Sequence, residues 1–344
     1  METALPVIWF GVIALLWTGY LLLEGFDLGV GMHMLLTARS GKERRAMLNT
    51  IGPVWDGNEV WLITAIGGTF AAFPSWYSTL LSSTYLLVLV VLFGLIVRAV
   101  AIEWAGKGRT DRWRRGWDTA MSLASFIVAF GIGAMLALTT LGLPIDAAGE
   151  RVGGAFAWAT PAALLGGLAA VGFALAHASN FLALKTDGAV RHRAGSFSAR
   201  IAPGLLVPML VWAATVQLAH GRGWTWLTLG VALLAGVGTW WAAGRRREAA
   251  AFLGTALLLV ASTVTVFGSA FPVVLPSSVD PAANLTVWNA AASPYALGVL
   301  TAVAAFGVPL VIGYQAWSYW VFRRRLSADS IPEAHVFAAA VRRR

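Results

Sequence analysis

Long apolar segments alternate along the chain with short segments rich in arginine. Nine segments each hold the roughly 20 apolar residues that a helix needs to cross the hydrocarbon core of a bilayer. They are residues 6–36, 49–73, 77–104, 118–142, 155–185, 199–219, 223–243, 250–272 and 295–322. The stretches between them are too short to hold a soluble domain. The pattern therefore predicts an all-α polytopic membrane protein with nine transmembrane helices, in which residues 1–344 form a single integral-membrane domain.

The positions of the basic residues predict the orientation of these helices. If the N-terminus is outside, nearly all 25 Lys and Arg residues fall in cytoplasmic loops or in the C-terminal tail, the exceptions being Arg98, Arg151 and Arg222. Cytoplasmic loops carry an excess of Lys and Arg. We therefore expect the N-terminus outside and the C-terminus in the cytoplasm. Short loops also favour two four-helix bundles with one peripheral helix.

The composition supports a membrane protein and narrows its chemistry. The chain is 58% hydrophobic and only 12% charged, whereas soluble domains are roughly 25% charged. In a soluble protein the net charge of +9 would suggest a nucleic-acid partner, but orientation in the membrane explains it better, so we expect no nucleic acid. Because cysteine is absent, this chain can hold no disulfide, Cys-ligated zinc or iron–sulfur cluster.

Four carboxylates lie inside apolar segments, and they are the main functional signal. Glu24 and Asp27 are spaced i, i+3 in the first segment, and Asp56 and Glu59 repeat that spacing in the second. Because the first helix runs inward and the second outward, both pairs fall in the cytoplasmic half. An ionised acid there costs at least about 2.5 kcal/mol on insertion scales and is usually functional. The pairs indicate either a proton path or polar cavity, or structural acids that pair with Arg98 or cap helix breaks.

The third segment contributes Arg98, with Glu103 further towards the cytoplasm. Arg98 either pairs with the acids of the first two helices or extends its guanidinium to the interface. Trp55 and Trp61 flank the second acid pair, where they either line a cavity or gas path or simply pack. His177 is deep in a helix, but a haem needs a specific axial pair, so a satisfied polar core residue is the better interpretation.

The sequence is similar to a known family over essentially its whole length. Five segments carry the resemblance: EGFDLGVGM, GPVWDGNEVWLITAIGG, FPVVLPSS, LTVWNAAASPYAL and YQAWSYWVF. They resemble subunit II of the cytochrome bd quinol oxidases. The resemblance implies a subunit of a terminal oxidase of the bacterial cytoplasmic membrane, which oxidises menaquinol or ubiquinol and reduces dioxygen to water without pumping protons.

The resemblance also implies the cofactors and partners. Two haems b and one haem d are expected in subunit I, and none in this chain, which would stabilise subunit I in a heterodimer. A small third subunit, membrane lipids and quinone are further expected partners.

The residue roles are implied in the same way. Asp56 looks like the family's proton-path acid, Asp27 like its helix 1 partner, and Trp61 like the tryptophan near an oxygen route. Some members carry Asp at the position of Glu24 and Gln at that of Glu59, and the predicted proton path comprises Asp56, Asp27, Glu24, Glu59, Arg98 and Glu103. Two other classes stay open: a proton-coupled secondary transporter that uses the same acids as a midplane relay, and a purely structural assembly partner.

Overall fold

The computed structural model describes residues 4–108 and 110–327, and most of them are helical. The helices are α1 (Ala4–Leu36), α2 (Gly41–Ile51), α3 (Trp55–Ala72), α4 (Pro74–Ser83), α5 (Tyr85–Trp104), α6 (Asp111–Leu141), α7 (Pro161–Lys185), α8 (Gly188–Arg200), α9 (Ala202–Leu205), α10 (Val207–His220), α11 (Thr225–Gly244), α12 (Glu248–Ala270) and α13 (Pro294–Val321). Single 3₁₀ turns occupy Ala105–Lys107 and Pro281–Ala283. The residues 109 and 342–344, which contributed to the predicted orientation, lie outside the described part.

Eight helices in the described residues are long and apolar enough to cross a membrane. They are Ala4–Leu36, Tyr85–Lys107, Asp111–Leu141, Pro161–Lys185, Ala202–His220, Thr225–Gly244, Glu248–Ala270 and Pro294–Val321. Each corresponds to one predicted segment, and the predicted helical membrane fold is confirmed at this level. The remaining predicted segment, residues 49–73, contains α3, whose first turns carry Asp56, Asn58 and Glu59 and are correspondingly polar.

The segment 49–73 is not one continuous helix, as the sequence pattern predicted. α2 ends at Ile51, residues 52–54 form a turn, and α3 begins at Trp55. Pro53 accounts for the break, because proline has no backbone N–H and its ring clashes with the carbonyl four residues earlier in a continuous helix. The break lets the first turn of α3 bring Asn58 against Asp27 of α1.

α1 packs against α3, α6 and α7, and α7 in turn packs against α10 and α12. Small residues allow the closest approaches. A Cβ atom built on Gly29 of α1 would lie 2.0 Å from the carbonyl oxygen of Ala174 in α7. Gly133 of α6 and Gly166 of α7 face each other in the same way, each with its Cβ position 2.3 Å from the other's carbonyl oxygen. Small residues at such contacts let the backbones of membrane helices approach closely.

The end of the bundle at which α1 begins carries a short hairpin, and we name it the hairpin end. β1 (Val273–Leu275) pairs antiparallel with β2 (Leu285–Thr286), with Val273 opposite Thr286. Leu143, just after α6, bonds to this segment through its own N–H to Pro276 O at 3.0 Å and through its carbonyl from Ser278 N at 2.8 Å. The fold is therefore not purely α-helical, because this loop satisfies its backbone groups with a small sheet.

The opposite end, which we name the basic end, is held together by ion pairs. Arg191 of α8 bonds to Glu248 of α12 at 2.6 Å, and Arg325 after α13 reaches the other oxygen of Glu248 at 2.9 Å. Lys185 at the end of α7 donates to the carbonyl oxygens of Phe322 and Arg324, the latter at 3.0 Å. These contacts fasten the residues that follow α13 to the bundle.

Candidate functional site

Two buried acids on α1 form the core of the site. The side chains of Glu24 and Asp27 are both fully buried, and their i, i+3 spacing puts them on one helix face. They lie nine to twelve residues before Leu36, which is about 14–18 Å from the basic end at 1.5 Å per residue. Two neighbouring carboxyl groups in an apolar interior can share one proton, because two adjacent negative charges repel each other.

Arg98 of α5 is the counter-charge to these acids. Its Nη1 lies 2.5 Å from Glu24 Oε1 and 3.7 Å from Glu59 Oε2. The arginine side chain is fully buried, so it does not extend to the interface, the alternative that the sequence left open. Removing one partner of such a buried pair typically costs about 3–5 kcal/mol, because the other charge is left uncompensated.

Asn58 of α3 lies on the other side of Asp27, and it was not among the predicted site residues. Its Nδ2 donates to Asp27 Oδ2 at 2.7 Å. Its Oδ1 accepts from Gln315 Nε2 at 2.7 Å and from the Tyr319 hydroxyl at 2.8 Å, both on α13. The available signal was weak: Asn58 stands between two acids, and Gln315 is an amide within an otherwise apolar segment.

The structure separates the six predicted proton-path residues into two groups. Glu24, Asp27, Glu59 and Arg98 come together; Asp56 and Glu103 stay exposed on the surface of the chain. Asp56 lies in the first turn of α3, where the positive end of the helix dipole favours a carboxylate. Glu59 joins the two groups, because its side chain pairs with Arg98 and is still 20% exposed. The buried cluster therefore reaches the chain surface at Glu59, one turn from Asp56.

Trp61 lines an apolar groove of about 390 Å³ between α1, α3 and α13. Its ring packs so closely on α1 that a Cβ atom on Gly19 would lie 2.3 Å from it. Trp9, Gly68 and Gly307 also line the groove, whereas the half-buried Trp55 does not. Trp61 is one of the two tryptophans that the sequence placed beside a possible cavity, and it lines this groove.

Two histidines are buried in the described part of the chain, and hydrogen bonds hold both of them. His177 Nδ1 bonds to Thr255 Oγ1 at 2.6 Å, and its ring is stacked between Phe173 and Phe252, with centroid distances of 5.0 and 4.4 Å. His33 Nε2 bonds to the carbonyl oxygen of Leu175 at 3.0 Å. These contacts hold both rings in place, and His177 is a packed polar core residue.

Fold and site together define a helical membrane protein with a buried acid–arginine cluster that opens to one surface. Residues 5–322 match the family model described as cytochrome bd terminal oxidase subunit II. The chain belongs to this family, which confirms the resemblance found in the sequence, and it is a membrane subunit of an oxidoreductase.

Individual relatives agree over nearly their whole length. The chain is 36% identical to cytochrome bd ubiquinol oxidase subunit 2 of Bacillus subtilis, covering 93% of this chain and 96% of the relative. It is 31% identical to cytochrome bd-I ubiquinol oxidase subunit 2 of Escherichia coli K12, covering 95% and 96%. A chain of the bd oxidase from Geobacillus thermodenitrificans has a similar fold, with a TM-score of 0.72 and 21% identity, covering 93% and 98% of the two chains.

Proposed function

We propose that this chain pairs with subunit I in a quinol oxidase that reduces dioxygen to water, and that it stabilises subunit I and supplies protons from the cytoplasm. The relatives from B. subtilis and E. coli are named as ubiquinol oxidase subunits, which supports quinol as the electron donor. Under this proposal two haems b and haem d are held by subunit I, and this chain holds none. Family membership over residues 5–322 disfavours the alternative of a proton-coupled transporter.

The observation that carries the proton path is the continuous polar array from Asp27 to Glu59. Glu24 is one helical turn from Asp27, Arg98 forms an ion pair with Glu24, and Glu59 lies 3.7 Å from the same Arg98 nitrogen. Carboxyl groups bind and release protons, and Arg98 holds two of them in place by charge. The array gives a proton a series of acceptors across an apolar interior.

The surface on which the array ends is the expected contact with subunit I. Asp56 is exposed on α3 beside Val60 and Ile63, which are 44% and 68% exposed. A carboxylate facing hydrocarbon is costly, and a partner that covers this face would remove that cost. The proton would then pass from Glu59 and Asp56 into subunit I, while Glu103 lies nearer the cytoplasmic end of α5.

The apolar groove at Trp61 fits an oxygen route under the same proposal. Dioxygen is a small apolar molecule that partitions into hydrocarbon, and the groove opens between helices that face the membrane. Trp61 narrows it against Gly19, and Trp55 lies six residues earlier in α3, next to Asp56.

The proposal includes the membrane arrangement that the sequence predicted. α3 would be the ninth span, with the basic end in the cytoplasm and the hairpin end outside the bacterial cytoplasmic membrane. One four-helix bundle would be α1, α3, α5 and α6, the other α7, α10, α11 and α12, with α13 peripheral. A small third subunit, lipids and quinone are further partners of the assembled complex.

The test replaces single acids in the assembled oxidase with isosteric amides. We expect Asp27→Asn and Asp56→Asn each to lower oxygen-reduction turnover about tenfold or more, as a barrier raised by roughly 1.4 kcal/mol would do, while the haem content stays unchanged. Oxygen consumption and a redox difference spectrum of the purified complex measure the two quantities. Glu150→Gln, an exposed acid near the hairpin end, is the matched control and should keep full turnover.

Three outcomes would contradict the proposal. Full turnover in both amide variants would exclude the proton path, and loss of haem together with turnover would indicate a structural role for the acids. Purification of the chain without a haem-bearing partner or haem d absorbance would instead favour the transporter.

A further inference from the structure

The side chain of Asn58 uses its whole hydrogen-bonding capacity inside the protein. A carboxamide offers two N–H donors and two lone pairs on its oxygen. Nδ2 donates to Asp27 Oδ2 at 2.7 Å and lies 3.4 Å from the carbonyl oxygen of Leu23, and Oδ1 accepts from Gln315 and Tyr319. The residue is fully buried. A fully satisfied buried amide is rigid, because any other orientation leaves polar groups unpaired in low dielectric.

This amide joins helices that are otherwise loosely connected. Only Leu297 and Gln315 of α13 are buried, so the helix makes little apolar contact with the rest of the chain. At its end the polar contacts of Lys185 and Glu248 hold it to the bundle. Within α13, Gln315 and Tyr319 bond to Asn58, and this contact connects the helix to the acid cluster.

The bond from Asn58 also distinguishes the two oxygens of Asp27. Oδ2 is held by the amide, whereas Oδ1 has no hydrogen-bonded donor among the described residues. Glu24 lies one helical turn before Asp27 and on the same face of α1. Because Oδ2 is engaged by Asn58, Oδ1 is the oxygen left for proton exchange with Glu24.

We propose that Asn58 is a positioning residue of the proton path, which holds the Asp27 carboxylate towards Glu24 and ties it to Gln315 and Tyr319 of α13. The proposal rests on the proposed function, because it assigns Asn58 a part in the same path. Asn58 itself neither gains nor loses a proton. It sets the geometry in which Asp27 does so, and α13 sets the orientation of Asn58.

The test is Asn58→Leu, which keeps the size of the side chain and removes all of its hydrogen bonds. In the assembled oxidase we expect turnover to fall about tenfold, which is the equivalent of about 1.4 kcal/mol and within the range of one hydrogen bond to a charged group. The KM for quinol should stay unchanged, and the solvent deuterium isotope effect on turnover should rise because proton transfer becomes limiting. A merely structural role would not raise the isotope effect.

A matched control is Gln217→Met. Gln217 is also a buried amide in a membrane helix, but it bonds to Arg222 and Ser269 near the hairpin end and not to the acids. We expect its turnover and isotope effect to match those of the wild type. An isotope effect that rises equally in both variants would overturn the proposal, because it would show a general response to the loss of a buried amide.

The double variant Asn58→Leu/Asp27→Asn tests whether Asn58 acts through Asp27. If it does, turnover in the double variant equals that of Asp27→Asn alone. If the losses of turnover in the two single variants multiply in the double variant, the inference is overturned. It is also overturned if Asn58→Leu has normal turnover and a normal isotope effect while Asp27→Asn is slow. That second result would leave the proposed proton path intact. Full turnover in Asp27→Asn would instead remove the proton path itself.

Smaller changes keep the inference testable if Asn58→Leu does not assemble. Tyr319→Phe and Gln315→Met each remove one bond to Asn58 Oδ1 and leave Asp27 untouched. We expect each to raise the solvent isotope effect, by less than Asn58→Leu would. Unchanged isotope effects in both assembled variants would overturn the link between α13 and the acid cluster.

Discussion

At the residue scale, the cost of a charge in hydrocarbon identified the right region but not each residue's surroundings. Glu24 and Asp27 are buried as expected, whereas Asp56, which the resemblance implied as the principal acid, is exposed on the isolated chain. The i, i+3 spacing says that two acids share a face, and it does not say which face is covered. The roles of these residues stay predictions until their variants are measured.

The partners of the acids could not have been deduced from local sequence. Asn58 bonds to Gln315 and Tyr319, which are 257 and 261 residues away along the chain. Neither residue is charged, so neither carries the high insertion cost that drew attention to the acids. Only the packing of α13 on α3 brings them to the site.

Glu43 outside the membrane spans allows a pH prediction at this scale. Partial burial by itself would raise the pKa of Glu43, but hydrogen bonds from Arg193 and from the backbone N–H of Arg39, the latter at 2.6 Å, lower it below its usual value. A lowered pKa contributes stability above the unfolded value of about 4.3, and that contribution is lost as the pH falls through the folded value.

We therefore expect Glu43→Gln to lower the thermal midpoint of the purified complex at pH 7 by about 1–2 °C, since a partly exposed pair is worth about 1 kcal/mol or less. The difference from the wild type should shrink as the pH falls below about 4. Thermal unfolding at several pH values measures it, with Glu150→Gln as the control. A difference that is the same at every pH would contradict the ion-pair explanation.

At the element scale, hydropathy located the helices well and located their breaks poorly. Eight predicted segments correspond to helices long enough to span a membrane, but the segment 49–73 is divided at residues 52–54. A hydropathy window averages over a turn, and the effect of Pro53 on backbone geometry is a local steric matter that the average does not contain. The hairpin of β1 and β2 was not predicted for a similar reason, since two very short strands leave almost no periodic signal in the sequence.

The contact of α1 with α7 gives a prediction at this scale. Gly29→Ala would place a methyl group 2.0 Å from the Ala174 carbonyl oxygen, so α1 and α7 must separate. Overpacking of this kind costs about 1–3 kcal/mol, and we expect lower thermal stability and less assembled complex. Gly11→Ala on the same helix is the control, because nothing lies within 4 Å of its Cβ position. Equal stability of the two variants would show that the helix contact adapts freely.

At the scale of the whole molecule, two opposite ends differ in chemistry. The basic end is fastened by arginine and lysine contacts, among them Arg191 with Glu248 and Lys185 with Arg324. The hairpin end is closed by backbone hydrogen bonds around Leu143. Because positive charge is retained on the cytoplasmic side, this asymmetry agrees with the proposed orientation.

Single cysteines test that orientation cleanly, because the chain contains none of its own. Ser196→Cys places an exposed thiol on α8 at the basic end, and Val279→Cys places one at the hairpin end. A membrane-impermeant thiol reagent should label Val279→Cys in spheroplasts and Ser196→Cys in inverted vesicles. The reverse pattern would place the N-terminus in the cytoplasm and contradict a proton path that starts at the basic end.

The sequence by itself determined the class of protein and the family. The class follows from the hydropathy of about 20 consecutive residues and from the alternation of basic loops, and the family follows from local motifs such as GPVWDGNEVWLITAIGG. Only the tertiary structure decided which acids are buried, that Arg98 forms ion pairs with Glu24 and Glu59, and that Asn58 joins Asp27 to α13. Those outcomes depend on how helices far apart in the chain pack, and close-range interactions between such helices leave no periodic trace in the sequence.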